Sequence, residues 1–207
     1  MTASPVPHRR YTLEEYYQLE NADPVGVRHE FHDGKILTMP GSTVEHAQIC
    51  INLGSELQPC LKGTPCYVFE LQVRSRIEES RRNVYADLTI VCGPVERDPR
   101  DSSRGTIMNP RVVVDVISPS TERYARSEKR EHYLKMPSLK AHLLVEQDCP
   151  RIEMLTRTPE NRWQLDIVTG IDGTLRLPML NVDVPLREIY DRVEFPPPSG
   201  PPYAERF

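Results

Sequence analysis

The stretch Arg111-Val-Val-Val-Asp-Val-Ile-Ser-Pro-Ser-Thr121 decides the fold class of this 207-residue chain. Its first half, Val112–Ile117, is the most apolar segment of the sequence and predicts a buried strand. Its second half, Ser118-Pro-Ser-Thr121, is typical of a helix N-terminus, because Ser and Thr hydroxyls accept hydrogen bonds from free backbone N–H groups. A buried strand that is followed directly by a long helix, to about Met136, predicts an α/β or α+β fold.

N-terminal to that stretch, helix and hairpin signals alternate. Thr12-Leu-Glu-Glu15 has the spacing of a capping box and predicts a short helix through about Glu20. Asp33-Gly34 lies between two short apolar runs, which predicts a β-hairpin. Apolar residues then recur at helical spacing from Thr43 to the stop signal at Lys62-Gly63, and this pattern predicts a second helix.

The remaining apolar runs have a period of two residues, which is typical of strands. Strands are expected over residues 66–71, 72–77, 84–92, 112–117, 141–146, 151–156 and 163–169, with a polar loop over 93–109 and a last helical turn over 186–190. This order predicts a single domain over residues 11–193, with a mixed central β-sheet flanked by helices. A flexible N-terminus is expected over residues 1–10, and an extended Pro-rich tail over residues 194–207.

Composition and charge exclude several classes of protein. Hydrophobic residues make up 38% of the chain and charged residues 27%, which is an ordinary balance for a globular domain. No apolar run approaches the ~18 residues of a membrane-spanning helix, and the N-terminus lacks the apolar segment of a secretory signal. A cytoplasmic protein without membrane contact is therefore expected. The net charge of −4 argues against a positively coated chain for non-specific DNA binding, but is compatible with a local basic face.

The sequence also lacks the motifs of several other chemistries. Its five cysteines are scattered without a Cys-x-x-Cys pair, which favours buried free thiols in a reducing compartment over a zinc site. There is no Gly-x-Gly-x-x-Gly motif, no P-loop and no Gly-x-Ser-x-Gly elbow. A nucleotide cofactor and serine-hydrolase chemistry are therefore not supported.

Two carboxylates lie within predicted apolar strands. Asp87 interrupts the strand predicted over 84–92, and Asp115 shares one face of its strand with Val113 and Ile117. A buried carboxylate is costly unless it is paired. Two inward carboxylates on central strands repel each other unless a cation lies between them, and Mg²⁺ binds one or two carboxylates together with waters. Asp87 and Asp115 are therefore candidate ligands of Mg²⁺, with Mn²⁺ as the alternative ion.

Lys129 is the third residue that does not fit its surroundings. It shares a helical stripe with Ala125, His132, Tyr133 and Met136, which points it toward the strands of the two aspartates. Each of the three residues alone has an ordinary explanation, such as an aspartate at a strand end or a lysine that snorkels to solvent. Together, two carboxylates and one amine in consecutive elements favour a functional site.

Other candidate residues carry weaker signals. Glu30 lies in the predicted hairpin, and His46 on the second helix is expected to be a surface or packed histidine rather than a ligand. Two arginine clusters, at 74–82 and 123–130, could contact a phosphate backbone, although solvated surface arginines are the usual case.

Taken together, these segments resemble one known family. Segments 29–35, 45–46, 86–91, 113–121 and 128–133, with the sequences HEFHDGK, EH, ADLTIV, VVDVISPST and EKREHY, are similar to motifs of the Uma-two family of restriction endonucleases. That family lies within the PD-(D/E)XK nuclease superfamily. The resemblance covers about residues 11–193 and implies a restriction-endonuclease-like fold and a metal-dependent endonuclease that acts on nucleic acid, with DNA as the expected substrate.

The resemblance also implies roles for individual residues. Asp87 and Asp115 would bind the catalytic Mg²⁺ or Mn²⁺, and Lys129 would stand in for the superfamily lysine. Glu30 matches a recurrent family glutamate and is a further catalytic candidate, to which the resemblance assigns no specific role. The sequence departs from the family pattern at Ala86, where a proline is usual, and at Asp115, where the family has glutamate. The usual lysine position, two residues after the second carboxylate, is Ile117, so the lysine would come from the following helix.

Two alternatives from other classes stay open. One is a nucleic-acid-binding relative that no longer cuts, and the other is a structural or regulatory module. In the second case Asp87, Asp115 and Lys129 would form a buried charge network without catalysis. The sequence also leaves open whether the chain forms a homodimer.

Overall fold

The computed structural model describes residues 9–22, 27–39, 41–70, 73–119 and 121–197. In chain order the helices are α1 (Leu13–Ala22), α2 (Val44–Leu61), α3 (Glu122–Tyr124), a π-helical turn (Ala125–Lys129), α4 (Arg130–Tyr133) and α5 (Leu186–Ile189). The strands are β1 (His29–His32), β2 (Lys35–Thr38), β3 (Cys66–Glu70), β4 (Arg74–Ile77), β5 (Arg82–Tyr85), β6 (Leu88–Cys92), β7 (Thr106–Ile107), β8 (Val112–Ile117), β9 (Ala141–Glu146), β10 (Arg151–Arg157), β11 (Trp163–Thr169), β12 (Thr174–Leu177) and β13 (Val182–Pro185).

The largest sheet has six strands in the order β11-β10-β9-β8-β6-β3. It is mixed, because β8 and β9 run parallel while the other neighbours are antiparallel. A second sheet has five strands in the order β2-β1-β5-β4-β7, and β12 and β13 form a separate hairpin. The predicted mixed α+β fold is therefore confirmed, with its strands divided among more than one sheet.

The hydrophobic core covers both faces of the six-stranded sheet. On one face, α2 places Ile49, Leu53 and Leu57 against strand residues such as Val114, and all four are almost completely buried. On the other face, Tyr133 from α4 packs against residues that include Val113 of β8. Alternate residues of β8 thus face opposite layers, as strand geometry requires, and the helices flank the sheet as predicted.

Local capping signals produce the predicted helix starts. Thr12 and Glu15 form a reciprocal capping box, since the Thr12 hydroxyl accepts from Glu15 N at 3.1 Å and Glu15 Oε2 accepts from Thr12 N at 2.8 Å. The Thr43 hydroxyl accepts from His46 N and caps α2. Asp33 and Gly34 have positive φ angles of 45° and 92°, which gives the tight turn of the predicted hairpin.

The strand predicted over residues 84–92 is wrong, because the chain changes sheets at Ala86-Asp87. β5 belongs to the five-stranded sheet and β6 to the six-stranded sheet. At the break, Asp87 N donates to Val114 O at 2.9 Å, and the Asp87 side-chain oxygen Oδ2 accepts from Val116 N at 2.7 Å. A side-chain carboxylate therefore replaces a backbone carbonyl in the ladder to β8, which ends the regular strand.

Three further expectations need correction. The long helix after Thr121 ends at Tyr133 and contains the π-helical turn, a feature that is frequent at functional sites. The polar loop at 93–109 contains β7, and the β12–β13 hairpin was not expected. The expectation of free thiols is wrong for Cys66 and Cys92, which form a disulfide because they lie opposite each other on β3 and β6. Cys50 is buried as expected, whereas Cys60 is exposed.

The predicted flexible N-terminus and Pro-rich tail lie mostly outside the described residues, at 1–8 and 198–207. Within the described ranges, no helix is both long enough and apolar enough to cross a lipid bilayer.

Candidate active site

A cavity of about 380 Å³ brings the predicted site residues together. All four of them, Glu30, Asp87, Asp115 and Lys129, line it, and so does His46. They come from β1, from the link between β5 and β6, from β8, from the π-helical turn and from α2. The cavity therefore lies where both large sheets meet the start of α2 and the helix that follows β8.

A buried ion pair forms the floor of this cavity. Lys129 Nζ donates to Asp115 Oδ1 and to the Tyr85 carbonyl oxygen, each at 2.6 Å. Asp115 and Lys129 are 3% and 6% exposed, so water screens their attraction very little. Burial acts against both charges, but Lys129 and then His142 lower the pKa of Asp115, and the neighbouring carboxylates raise the pKa of Lys129. Carboxylate and ammonium are therefore the forms at neutral pH.

His142 completes the surroundings of Asp115. Its Nε2 lies 2.9 Å from Asp115 Oδ2, and its side chain is fully buried on β9. Burial lowers the pKa of His142, so the ring is neutral and Nε2–H donates to the carboxylate. The other ring nitrogen, Nδ1, has no hydrogen-bond partner among the described residues. Because each oxygen of Asp115 receives one strong donor, the carboxylate is held in a single orientation.

Glu30 adds a second carboxylate beside the same ammonium. Its Oε1 lies 3.8 Å from Lys129 Nζ and accepts from Tyr85 N at 3.1 Å. Its Oε2 accepts from the Tyr124 hydroxyl at 2.6 Å and lies 3.0 Å from His32 Nε2. Burial would raise the pKa of Glu30, but Lys129, His32 and Tyr124 together lower it. Lys129 is therefore positioned between two ionised carboxylates.

Asp87 occupies a more open wall of the cavity. Its side chain is 16% exposed, and its Oδ2 lies 3.2 Å from His46 Nε2 in addition to the bond from Val116 N. Within the described residues, no hydrogen bond or ion pair reaches Oδ1. His46 was expected to be an ordinary surface or packed histidine, but the structure places it against a predicted metal ligand.

Asp87 and Asp115 are neighbours across the junction of β6 and β8. The hydrogen bonds of Asp87 to Val114 O and Val116 N bracket the backbone of Asp115, and both side chains line the cavity. Among the described residues, three carboxylates line this cavity against two cationic side chains, Arg28 and Lys129. Two carboxylates with an excess of negative charge form a donor set that fits a hard divalent cation such as Mg²⁺.

The sequence interpretation missed His142 and Tyr124. His142 interrupts the apolar run of β9 in the same way that Asp115 interrupts β8, so the same reasoning could have found it. Tyr124 had no comparable signal, since a tyrosine near the start of a helix is unremarkable. Its role depends on the contact with Glu30, which is 94 residues away in sequence.

The predicted arginine clusters are largely paired with carboxylates. Arg74 donates to Asp101, Arg82 to Glu128, and Arg126 to Glu146. In the same way, Arg130 donates to Glu153 at 2.9 Å. These arginines therefore stabilise the protein locally, and the positive charge that they present to a phosphate backbone is reduced.

The mixed sheet, its flanking helices and an acidic cavity with a buried lysine define the class of restriction-endonuclease-like α+β proteins. A family model named Uma2, described as "Putative restriction endonuclease", matches residues 13–186. The chain belongs to this family, which confirms the resemblance seen in the sequence.

Three other proteins are similar to this chain. An uncharacterized protein of Synechocystis sp. is 30% identical over 158 residues, which cover 76% of this chain and 80% of that protein. A second one from the same organism is 26% identical over 174 residues, which cover 83% and 94%. The crystal structure of "a putative nuclease belonging to DUF820" from Anabaena variabilis has a TM-score of 0.70 at 16% identity, and the match covers 87% of this chain and 97% of that one. At that identity, the likeness shows the fold.

Proposed function

We propose that this protein is a metal-dependent endonuclease that hydrolyses phosphodiester bonds of nucleic acid, with DNA as the substrate. The observation that carries the proposal is the buried Asp115–Lys129 pair, at 2.6 Å, on the floor of a cavity that Asp87 also lines. Membership of a restriction-endonuclease family supports a nuclease. The choice of DNA, the metal dependence and the residue roles are part of the proposal.

Asp87 and Asp115 are the proposed ligands of Mg²⁺ or Mn²⁺. When bound, such an ion would stabilise the negative charge that builds up on the phosphate oxygens and lower the pKa of a water nucleophile. Asp87 contributes its partly exposed position and a carboxylate oxygen that has no other partner among the described residues. Asp115 contributes a carboxylate whose orientation is fixed by Lys129 and His142.

Lys129 and Glu30 have supporting roles in this proposal. The Lys129 ammonium lies beside the carboxylate ligand, where it can orient a water molecule or neutralise charge on the phosphate during attack. Glu30 accepts no proton in this scheme. It lies 3.8 Å from the ammonium, raises its pKa and keeps Lys129 aimed into the cavity.

Cleavage of a supercoiled plasmid tests the proposal. The full chain should nick or linearise the plasmid with Mg²⁺ or Mn²⁺ and should be inactive with EDTA. Asp115→Asn and Asp87→Asn should reduce cleavage to background, because each removes an anion that the metal requires. Lys135→Ala is the matched control, since Lys135 is an exposed lysine two residues beyond α4. Cleavage that survives EDTA, or that both aspartate variants retain, would overturn the assignment.

The same experiment separates the two alternatives. The hydrogen bonds to both oxygens of Asp115 also suit a structural charge network without metal. DNA binding without cleavage by the wild-type protein would indicate a non-catalytic nucleic-acid-binding protein. Absence of both cleavage and binding, with RNA tested in parallel, would favour the structural or regulatory module.

A further inference from the structure

One wall of the cavity carries a histidine, a cysteine and an aspartate whose ligand atoms converge. His46 and Cys50 are four residues apart on α2, so they lie on the same face of the helix. Asp87 approaches them from the link between β5 and β6. One nitrogen of His46, the sulfur of Cys50 and one carboxylate oxygen of Asp87 all lie within 4.8 Å of one another.

The individual contacts place the imidazole of His46 between Asp87 and Cys50. His46 Nε2 lies 3.2 Å from Asp87 Oδ2, and His46 Nδ1 lies 3.6 Å from Cys50 Sγ. Bond lengths of ~2.0–2.3 Å in tetrahedral zinc sites imply ligand atoms about 3.3–3.8 Å apart. These two contacts involve different nitrogens of one ring, and only one nitrogen can bind a given ion. The Cys50 side chain therefore has to rotate for the three ligand atoms, which start within 4.8 Å of one another, to reach this spacing.

A further polar contact orients the imidazole. Ser42 Oγ lies 2.8 Å from His46 Nδ1, and metal-ligating histidines typically make such a hydrogen bond through the nitrogen that does not bind the ion. This contact leaves Nε2, which faces Asp87, as the ligand atom. His46 and Asp87 line the cavity, while Cys50 is only 4% exposed behind them. A fourth position would therefore face the cavity and its solvent.

We propose that His46, Cys50 and Asp87 form a three-ligand site for a transition-metal ion of the Zn²⁺ class. A thiolate and an imidazole are ligands that favour Zn²⁺ or Co²⁺, whereas Mg²⁺ takes oxygen ligands. On binding, the thiol gives up its proton to solvent. The site has three protein ligands and one open position, which is the arrangement of reactive rather than purely structural zinc sites.

The consequence of this site rests on the proposed function, because Asp87 serves both ions. An ion of the Zn²⁺ class bound by His46, Cys50 and Asp87 occupies the carboxylate that the hydrolytic Mg²⁺ requires. The two ions therefore share Asp87 as a ligand, so that occupancy of one site changes the affinity of the other.

Titration of the purified full chain with Co²⁺ alone, without nucleic acid, tests the site. Wild-type protein should bind one Co²⁺ at this site with a thiolate-to-cobalt charge-transfer band in the near ultraviolet. Cys50→Ser should abolish the band, and His46→Gln should weaken Co²⁺ binding by more than about 10-fold. Cys60→Ser is the matched control, because Cys60 is an exposed cysteine on the same helix, and it should leave the band unchanged.

The outcomes are distinguishable from those of the cleavage assay. A wild-type protein without the band, or a band that survives Cys50→Ser, overturns the proposed site even if Mg²⁺-dependent cleavage is present. Far-UV circular dichroism establishes that each variant is folded. If Cys50→Ser does not fold, His46→Gln decides alone, because it keeps the thiol, and unchanged Co²⁺ affinity in that variant rejects the site.

Discussion

Two buried ion pairs in this protein look alike, but only one of them lines the candidate site. Lys129–Asp115 lies on the floor of the cavity, whereas Arg74–Asp101, with a separation of 2.9 Å, does not line it. Asp101 accepts hydrogen bonds from Arg74, Asn21, Thr106 and both the backbone and the side chain of Ser103. Among the described residues, Asp115 accepts two, from Lys129 and His142.

The comparison shows that burial and an ion pair are not sufficient to identify a functional carboxylate. The carboxylate of Asp101 has five donors, which leave no room for another ligand. These donors come from α1, β4, β7 and the loop that carries Ser103, so Asp101 joins these segments. The carboxylate of Asp115 still has lone pairs that can accept from the cavity side. A buried carboxylate that keeps free lone pairs beside a cavity is therefore a better candidate for a functional residue than one whose oxygens are fully hydrogen-bonded.

Removal of the cavity lysine should have the largest effect on stability. Lys129→Ala leaves Asp115 and Glu30 buried without their cation, so we expect a loss of about 3–5 kcal/mol in the free energy of unfolding. Urea denaturation monitored by circular dichroism measures this loss. Lys135→Ala, at an exposed position, should change stability by less than about 0.5 kcal/mol. Equal stability of wild-type protein and Lys129→Ala would show that the buried pair is not formed in solution.

The second pair should affect stability without affecting cleavage. Asp101→Asn replaces one acceptor oxygen with an NH₂ group that faces donors, which should cost about 1–3 kcal/mol. Burial would raise the pKa of Asp101, but its hydrogen-bond partners and Arg74 lower it. The stabilisation that the Asp101 carboxylate provides is therefore fully present above the pKa of ~3.9 in the unfolded chain. It is lost as the pH falls through the lower pKa in the folded protein.

Thermal unfolding from pH 3 to pH 7 tests whether the stabilisation by Asp101 decreases in acid. The stability difference between wild-type protein and Asp101→Asn should be constant near pH 7 and should shrink in acid. Plasmid cleavage at neutral pH should be the same for both proteins. A loss of cleavage in a folded Asp101→Asn variant would contradict the separation between the two pairs.

Asp87→Asn should have the smallest effect on stability. The side chain is partly exposed, and the amide oxygen can still accept from Val116 N, so we expect a change within about 1 kcal/mol. Cleavage should nevertheless fall to background, because an amide lacks the negative charge that the metal requires. Denaturation and cleavage of the same preparation test both statements. A large loss of stability would mean that Asp87 is mainly a structural residue.

Much of the fold could be predicted because its signals are local. The capping box at Thr12, the Asp33-Gly34 turn and the strand at Val112–Ile117 depend on neighbouring residues only, and each is present as expected. The change of sheet at Asp87 could not be predicted, since it depends on hydrogen bonds to β8. The disulfide between Cys66 and Cys92 likewise depends on the register of two strands 26 residues apart.

Some residues of the candidate site could also be identified from the sequence, but their partners could not. Asp115 and Lys129 were identified as misfits in apolar surroundings, and the structure joins them directly. The sequence alone predicts repulsion between Asp87 and Asp115, which would make loss of one charge harmless or stabilising. With the structure we predict the opposite for Asp115, because its carboxylate compensates a buried ammonium. The ion-pair partner of a buried carboxylate can be identified only when the fold shows which distant segments are in contact.

The two-residue link between β5 and β6 has a consequence for how this protein tolerates insertions and deletions. This link consists of Ala86 and Asp87, which connect β5 of the five-stranded sheet to β6 of the six-stranded sheet. In a strand, a slip of one residue turns every following side chain to the opposite face. A single-residue insertion in this link would therefore displace the Asp87 carboxylate and invert the packing of β6 at the same time. The position of the carboxylate in the cavity therefore depends on the length of the link as well as on the presence of aspartate at position 87.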